Sequence, residues 1–162
     1  MKSLEGFSFN RDLPEGGYKL REIFKGLNDV LELKEVFGED ICRLGEVEIV
    51  LTNKSKWGKL EYAYINDGQV HIGTDYFRSG PAHYIYLDII HELVHIKQHW
   101  NGRELFDEHY PYVDRPTEVE AYRIALAAAG RIDMNREEIS EYLKVPWASD
   151  EEMKRLEKNI GL

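Results

Sequence analysis

A single cysteine, Cys42, stands in the 162 residues, so no intramolecular disulfide framework staples this chain. No apolar run approaches the roughly 20 residues that cross a bilayer. The opening residues, Met1-Lys2-Ser3-Leu4-Glu5-Gly6, lack the apolar core of a signal peptide. Positive charge is short as well. The 21 Lys and Arg stand against 30 Asp and Glu, and a net charge of −9 is the wrong sign for gripping a nucleic-acid backbone. Repeats and low-complexity linkers are missing too. These absences set the expectation of a cytoplasmic chain that binds neither nucleic acid nor membrane; they leave its oligomeric state open. What is present, 43% hydrophobic and 31% charged residues, is the composition of a folded domain with a real core.

Between residues 82 and 100 there is neither glycine nor proline, while Gly80-Pro81 just before suits a helix start. At about 100° per residue, Ile85, Ile89, Leu93, Ile96 and Trp100 fall on one side of this expected helix. Tyr86, Leu87, Ile90 and Val94 widen that apolar arc. The opposite side carries Asp88, His91, Glu92, His95, Gln98 and His99. Lys97 is the misfit on the apolar side, where its long stem can snorkel. The helix is therefore expected to be largely buried, with one polar stripe facing a cleft. Within the stripe lies His91-Glu92-Leu93-Val94-His95, an H-E-x-x-H. Histidines four apart share a helix face and can reach one metal ion, with Glu92 beside them to hold a water.

Two histidines leave a catalytic zinc site one protein ligand short. A third histidine six residues after His95 would mark a Met-turn enzyme, but that residue is Asn101, and Gln98 stands where the pattern requires glycine. The next candidates follow Pro116, which can open a second helix expected to run to about Ala129 and stop at Gly130. Glu118 shares its face with Ala121, Ala125 and Ala129, small residues that let two helices approach closely. Glu120 points about 200° away from it. Glu118 is the preferred third ligand and Glu120 the alternative.

The pair His91-Glu92-Leu93-Val94-His95 and Glu118-Val119-Glu120-Ala121 resembles the gluzincin class of zinc metallopeptidases. It is similar in particular to the compact group that includes the ImmA/IrrE-like peptidases and the archaeal minigluzincins. The resemblance covers roughly residues 45–130. It implies one Zn²⁺ per chain held by His91, His95 and Glu118. It also implies hydrolysis of a peptide or protein substrate, with metal-activated water as nucleophile and Glu92 as general base. The alternative is a non-catalytic zinc-binding interaction or regulatory module. Tyr122 departs from the group, which often has asparagine or aspartate just after the alanine.

The fold expected is α+β: a zincin-like domain with a small three- or four-stranded twisted sheet packed on the active-site helix, then a ligand helix and short C-terminal helices. Residues 1–15 read as an irregular arm partly ordered by Phe7 and Phe9, and residues 16–162 as a single domain. Tyr18 to Phe37 reads as a helix packed on the sheet, with Gly26 or Asn28 as points of interruption. Val47, Ile49 and Leu51 alternate with polar neighbours as a half-buried strand. Residues 60–65 and 69–73 form two more strands around Asn66-Asp67-Gly68, a strong hairpin signal. The resemblance implies that a strand near residues 69–75 aligns substrate by backbone pairing. His109, Tyr110 and Tyr112, in the loop between the two ligand helices, are candidates to steady an oxyanion, and His99 is a candidate either to back the metal ligands or to wall the cleft. Capping boxes at Asn135/Glu138 and Ser149/Glu152 open two final helices.

Overall fold

The computed structural model describes residue 4 and residues 6–162. After a short strand β1 (Ser8–Phe9), the chain forms β2 (Gly16–Lys19), a single turn α1 (Leu20–Ile23) and β3 (Phe24–Lys25). Helix α2 (Leu31–Phe37) and a run of 3₁₀ turns (Gly38–Glu46) lead to β4 (Glu48–Leu51). The small hairpin β5 (Lys54–Ser55) and β6 (Gly58–Lys59) precedes β7 (Ala63–Asn66) and β8 (Gln69–Ile72). Helices α3 (Thr74–Ser79), α4 (Ala82–Trp100), α5 (Pro116–Arg131), α6 (Arg136–Leu143) and α7 (Asp150–Ile160) complete the fold.

The helix expected over 18–37, with interruption at Gly26 or Asn28, is broken more than once: Tyr18 and Lys19 belong to β2, and Phe24–Lys25 to β3. Gly26 sits at φ 89°, and a Cβ there would lie 1.8 Å from the Gly6 carbonyl oxygen. Only glycine allows that backbone approach, which lets Phe24–Lys25 pair with Ser8–Phe9 instead of continuing a helix. The N-terminal segment is thereby fastened by Phe7 and Phe9, whose rings lie 4.9–5.9 Å from those of Phe24, Phe77 and Tyr86. Helix α2 packs on α4 and α5 rather than on the sheet, burying Leu33 and Phe37.

The main sheet has the order β2-β4-β8-β7. β4 and β8 run parallel at its centre, pairing Ile49 with Val70 and Leu51 with Ile72, all four buried. β7 returns antiparallel along the outside through the expected two-residue turn, with Asp67 and Gly68 at φ 48° and 76°. The strand within the expected region 69–75, β8, ends at Ile72 and is interior, and β7 is the edge on that side. This corrects the expectation, because a hairpin lays its first strand outside when its second joins an existing strand. α4 rests against β7 and β8, and α5 packs on α4. Helix α5 runs through Gly130 to Arg131, and the left-handed residue after it is Asp133, at φ 60°. Both capping boxes form as expected.

Candidate metal centre

The apolar periodicity of α4 seats it deep in the molecule. Ile85, Ile89, Leu93 and Ile96 are at most 1% exposed. Lys97 reaches off that side to the Asp40 carboxylate, 2.6 Å away. Of the polar stripe, His91, Glu92, His95 and Gln98 are buried as well, on the side where α5 packs on α4. Pro116 occupies the first turn of α5, and Ala121, Ala125, Ala128 and Ala129 are completely buried. Their lack of bulk admits the close approach that a short carboxylate needs.

Across this contact three side chains converge. Nε2 of His91 lies 3.1 Å from Nε2 of His95 and 3.0 Å from Oε2 of Glu118. Nε2 of His95 lies 3.2 Å from Oε1 of Glu118. Tetrahedral zinc with bonds of about 2.0–2.1 Å separates its ligand atoms by about 3.3 Å. Two imidazole nitrogens and a carboxylate with that mutual spacing are a zinc donor set. Glu120 is not part of it; it faces outward and pairs with Arg103 at 2.5 Å.

Gln98, one turn beyond His95, ties the two helices together. Its Nε2 donates to the carbonyl of Thr117 at 3.0 Å, so the amide is oriented, and its Oε1 faces Nδ1 of His95 at 2.7 Å. That oxygen can only accept, which puts the proton on Nδ1 and leaves the Nε2 lone pair turned to the centre. The ring of His91 is held by packing instead, edge-on to Tyr122 at 4.4 Å between centroids. Its Nδ1 has no hydrogen-bond partner among the described residues. Tyr122 thus occupies the place of an expected polar partner and supports the histidine through its ring. Glycine versus glutamine at 98 is visible in sequence only as a failed motif; the spacing of three from His95 is the signal that places Gln98 on the same face.

The electrostatics follow from burial and mutual charge. Burial raises the carboxyl of Glu118, but the positive charge and hydrogen bonds of the two histidines outweigh it and hold Glu118 well below the usual range. Burial also opposes protonation of His95, yet the neighbouring Glu118 carboxylate wins and lifts it to about 9. His91 is lowered by burial. Glu92 is pushed up to about 8, chiefly by burial.

His91 and Glu92 open onto a cleft walled by Tyr62, Ala63, Tyr112, Tyr122, Tyr142 and Trp147. Ala63 is the first residue of the edge strand β7, and Trp147 follows α6, so the C-terminal region forms one wall. Of the loop residues expected near an oxyanion, only Tyr112 reaches the cleft, its hydroxyl 2.7 Å from that of Tyr122. His109 and Tyr110 are exposed on the loop surface and do not line the cleft. His99 is exposed beside the β7–β8 turn at Gly68, not in the cleft wall, because it has turned past the metal-facing stripe.

The arrangement of His91, Glu92, His95 and Glu118, set on a helix against a small twisted sheet, matches a gluzincin active site of the H-E-x-x-H type. It supports assignment as a zinc metallopeptidase with one metal ion per chain. Comparison of the whole chain with family models, curated proteins and solved structures gives no match. Among the described residues, no helix is long and apolar enough to cross a membrane.

Proposed function

We propose that this chain hydrolyses peptide bonds, with His91, His95 and Glu118 as zinc ligands and Glu92 as the general base. The observation that carries the reading is the convergence of the three donor atoms at zinc spacing beside a carboxyl that faces a cleft. When bound, zinc supplies Lewis-acid polarisation, acidifies a water, and favours the ionised form of Glu92. Glu92 takes a proton from water and returns it to the leaving amine; its burial strengthens its hold on that proton in between. Tyr112 and Tyr122 share one hydrogen bond between two hydroxyls, so one O–H remains for the substrate carbonyl as its oxygen gains charge. The edge strand β7 is suited to hold an extended peptide by backbone pairing. A peptide or protein is the substrate class this cleft fits, and a chain with one cysteine suits the reducing cytoplasm.

The test combines metal content with turnover. Glu92→Gln keeps about one zinc per chain and loses at least about a hundredfold in kcat on a peptide library. His91→Ala, His95→Ala and Glu118→Ala lose zinc, whereas Glu120→Ala keeps it. Full activity in Glu92→Gln sinks the general-base role. Zinc without turnover on any peptide favours the non-catalytic module.

A further inference from the structure

One carboxylate in the cleft has no part in the chemistry above. Asp88 lies one helical turn before His91 and Glu92, about 6 Å along the axis from Glu92. It is half-buried and borders the same cleft. Tyr142 donates its hydroxyl to Oδ1 at 2.7 Å, and Tyr76 donates to Oδ2. Each carboxylate oxygen accepts twice, so two acceptor positions remain after the tyrosines are served. The aromatic rings around it interlock. Tyr84 stands edge-on to Tyr142 at 5.2 Å, and Tyr62 edge-on to Tyr76 at 5.5 Å. Lys144 also lines the cleft, and its ammonium is held by Glu141 at 2.7 Å.

A carboxylate held by two hydroxyls among aromatic side chains at a cleft wall, with acceptor positions to spare, is complementary to a cation. We propose that Asp88 is a specificity residue that receives an ammonium or guanidinium group of the peptide, one or two residues from the bond cut. The distance supports this, since about 6 Å corresponds to fewer than two residues of extended chain. This inference rests on the peptidase reading for the occupant of the cleft. The cation has two sources, a lysine or arginine side chain or a free α-amino terminus.

The test is binding, so it does not depend on turnover. Zinc-loaded Glu92→Gln protein is titrated with fluorescent peptides that differ only in lysine against norleucine at positions flanking the central bond. Each is made with a free and with an acetylated N-terminus. Lysine at one position should bind about tenfold tighter, and the gain should vanish when Asp88→Asn is added. A gain that follows the free N-terminus assigns the site to an α-amine. Equal binding of all these peptides to Glu92→Gln overturns the proposal even if Asp88→Asn fails to fold. A gain that survives in folded Asp88→Asn overturns the role of Asp88. Turnover by the parent chain separates the two readings. Cleavage without a cation preference leaves the peptidase and removes this site. Preference without cleavage leaves the site and removes the peptidase.

Discussion

Gln98 serves two helices with one amide, and its removal should be felt at the metal. Gln98→Leu keeps the volume but releases the tautomer of His95 and the carbonyl of Thr117. Zinc affinity should fall about 10- to 100-fold, read by competition with a chromophoric chelator. Asp88 provides a pH signature. Burial raises it to about 6, against the pull of its two tyrosine hydroxyls, from an ordinary 3.8. The folded state then holds this proton where the unfolded state has lost it, so stability falls as pH rises from about 4 to about 6. The component amounts to about 2 kcal/mol once screening at the cleft side is counted. Urea unfolding of zinc-free protein at stepped pH should show it in the parent and not in Asp88→Asn. At this scale His91, His95 and Glu118 were readable because helical spacing fixes which residues share a face. Asp88, Tyr122 and Gln98 were visible on their faces but not in their partners. Partnership depends on side chains from Tyr76, Tyr142 and Thr117, brought in by other elements.

The two ligand helices were legible as elements from their apolar periodicity, their prolines and their alanines. β4, β7 and β8 were legible as strands, whereas β1, β2 and β3, which fall in the expected arm and helix, were not, and neither was the strand order. Alternation in residues 47–51 and 69–73 marks burial on one face without saying which neighbour each edge meets. The interruption near Gly26 was marked by the residue, whereas its cause, close contact with the chain at Gly6, is long-range. The strand order carries its own prediction. Gly73 donates its N–H to the Tyr62 carbonyl, and Asn66 faces Gln69 across the tight turn. Alternation between these pairs turns the N–H of Ala63 toward the open edge. Ala63→Pro should thus spare the ladder while removing a donor for an extended peptide. Zinc content should be unchanged, and KM for a peptide substrate should rise about five- to tenfold. A second element-scale test concerns the helix contact. Ala125 is completely buried, and Ala125→Leu should cost about 1–3 kcal/mol in urea unfolding and weaken zinc binding together with it.

For the molecule as a whole, zinc binding and folding are linked, because the ligands come from two helices joined by a loop. A zinc site saturated to about a hundred times its dissociation constant adds about 2.7 kcal/mol. Chelation should therefore lower Tm by about 5–10 °C in a chain of this length, followed by calorimetry. Length, charge and the single cysteine limited the kind of molecule expected, and the α+β class followed from the order of strands and helices. The fastening of the N-terminal segment by Phe7 and Phe9 was foreshadowed only by those two rings. Its partners Phe24, Phe77 and Tyr86 are scattered along the chain and meet only in the folded state.

The segment between the ligand helices has one further consequence. Phe106, His109 and Tyr110 stand exposed on it, while Leu105 and Val113 anchor its two ends in the interior. A protease that nicks the tip would leave two fragments, each carrying part of the metal centre. The ion, the Gln98 bridge and the alanine contact would still clamp them into one particle. The cut chain would stay whole in the presence of zinc and separate when the metal is stripped, so the ion acts as a removable rivet across a broken backbone.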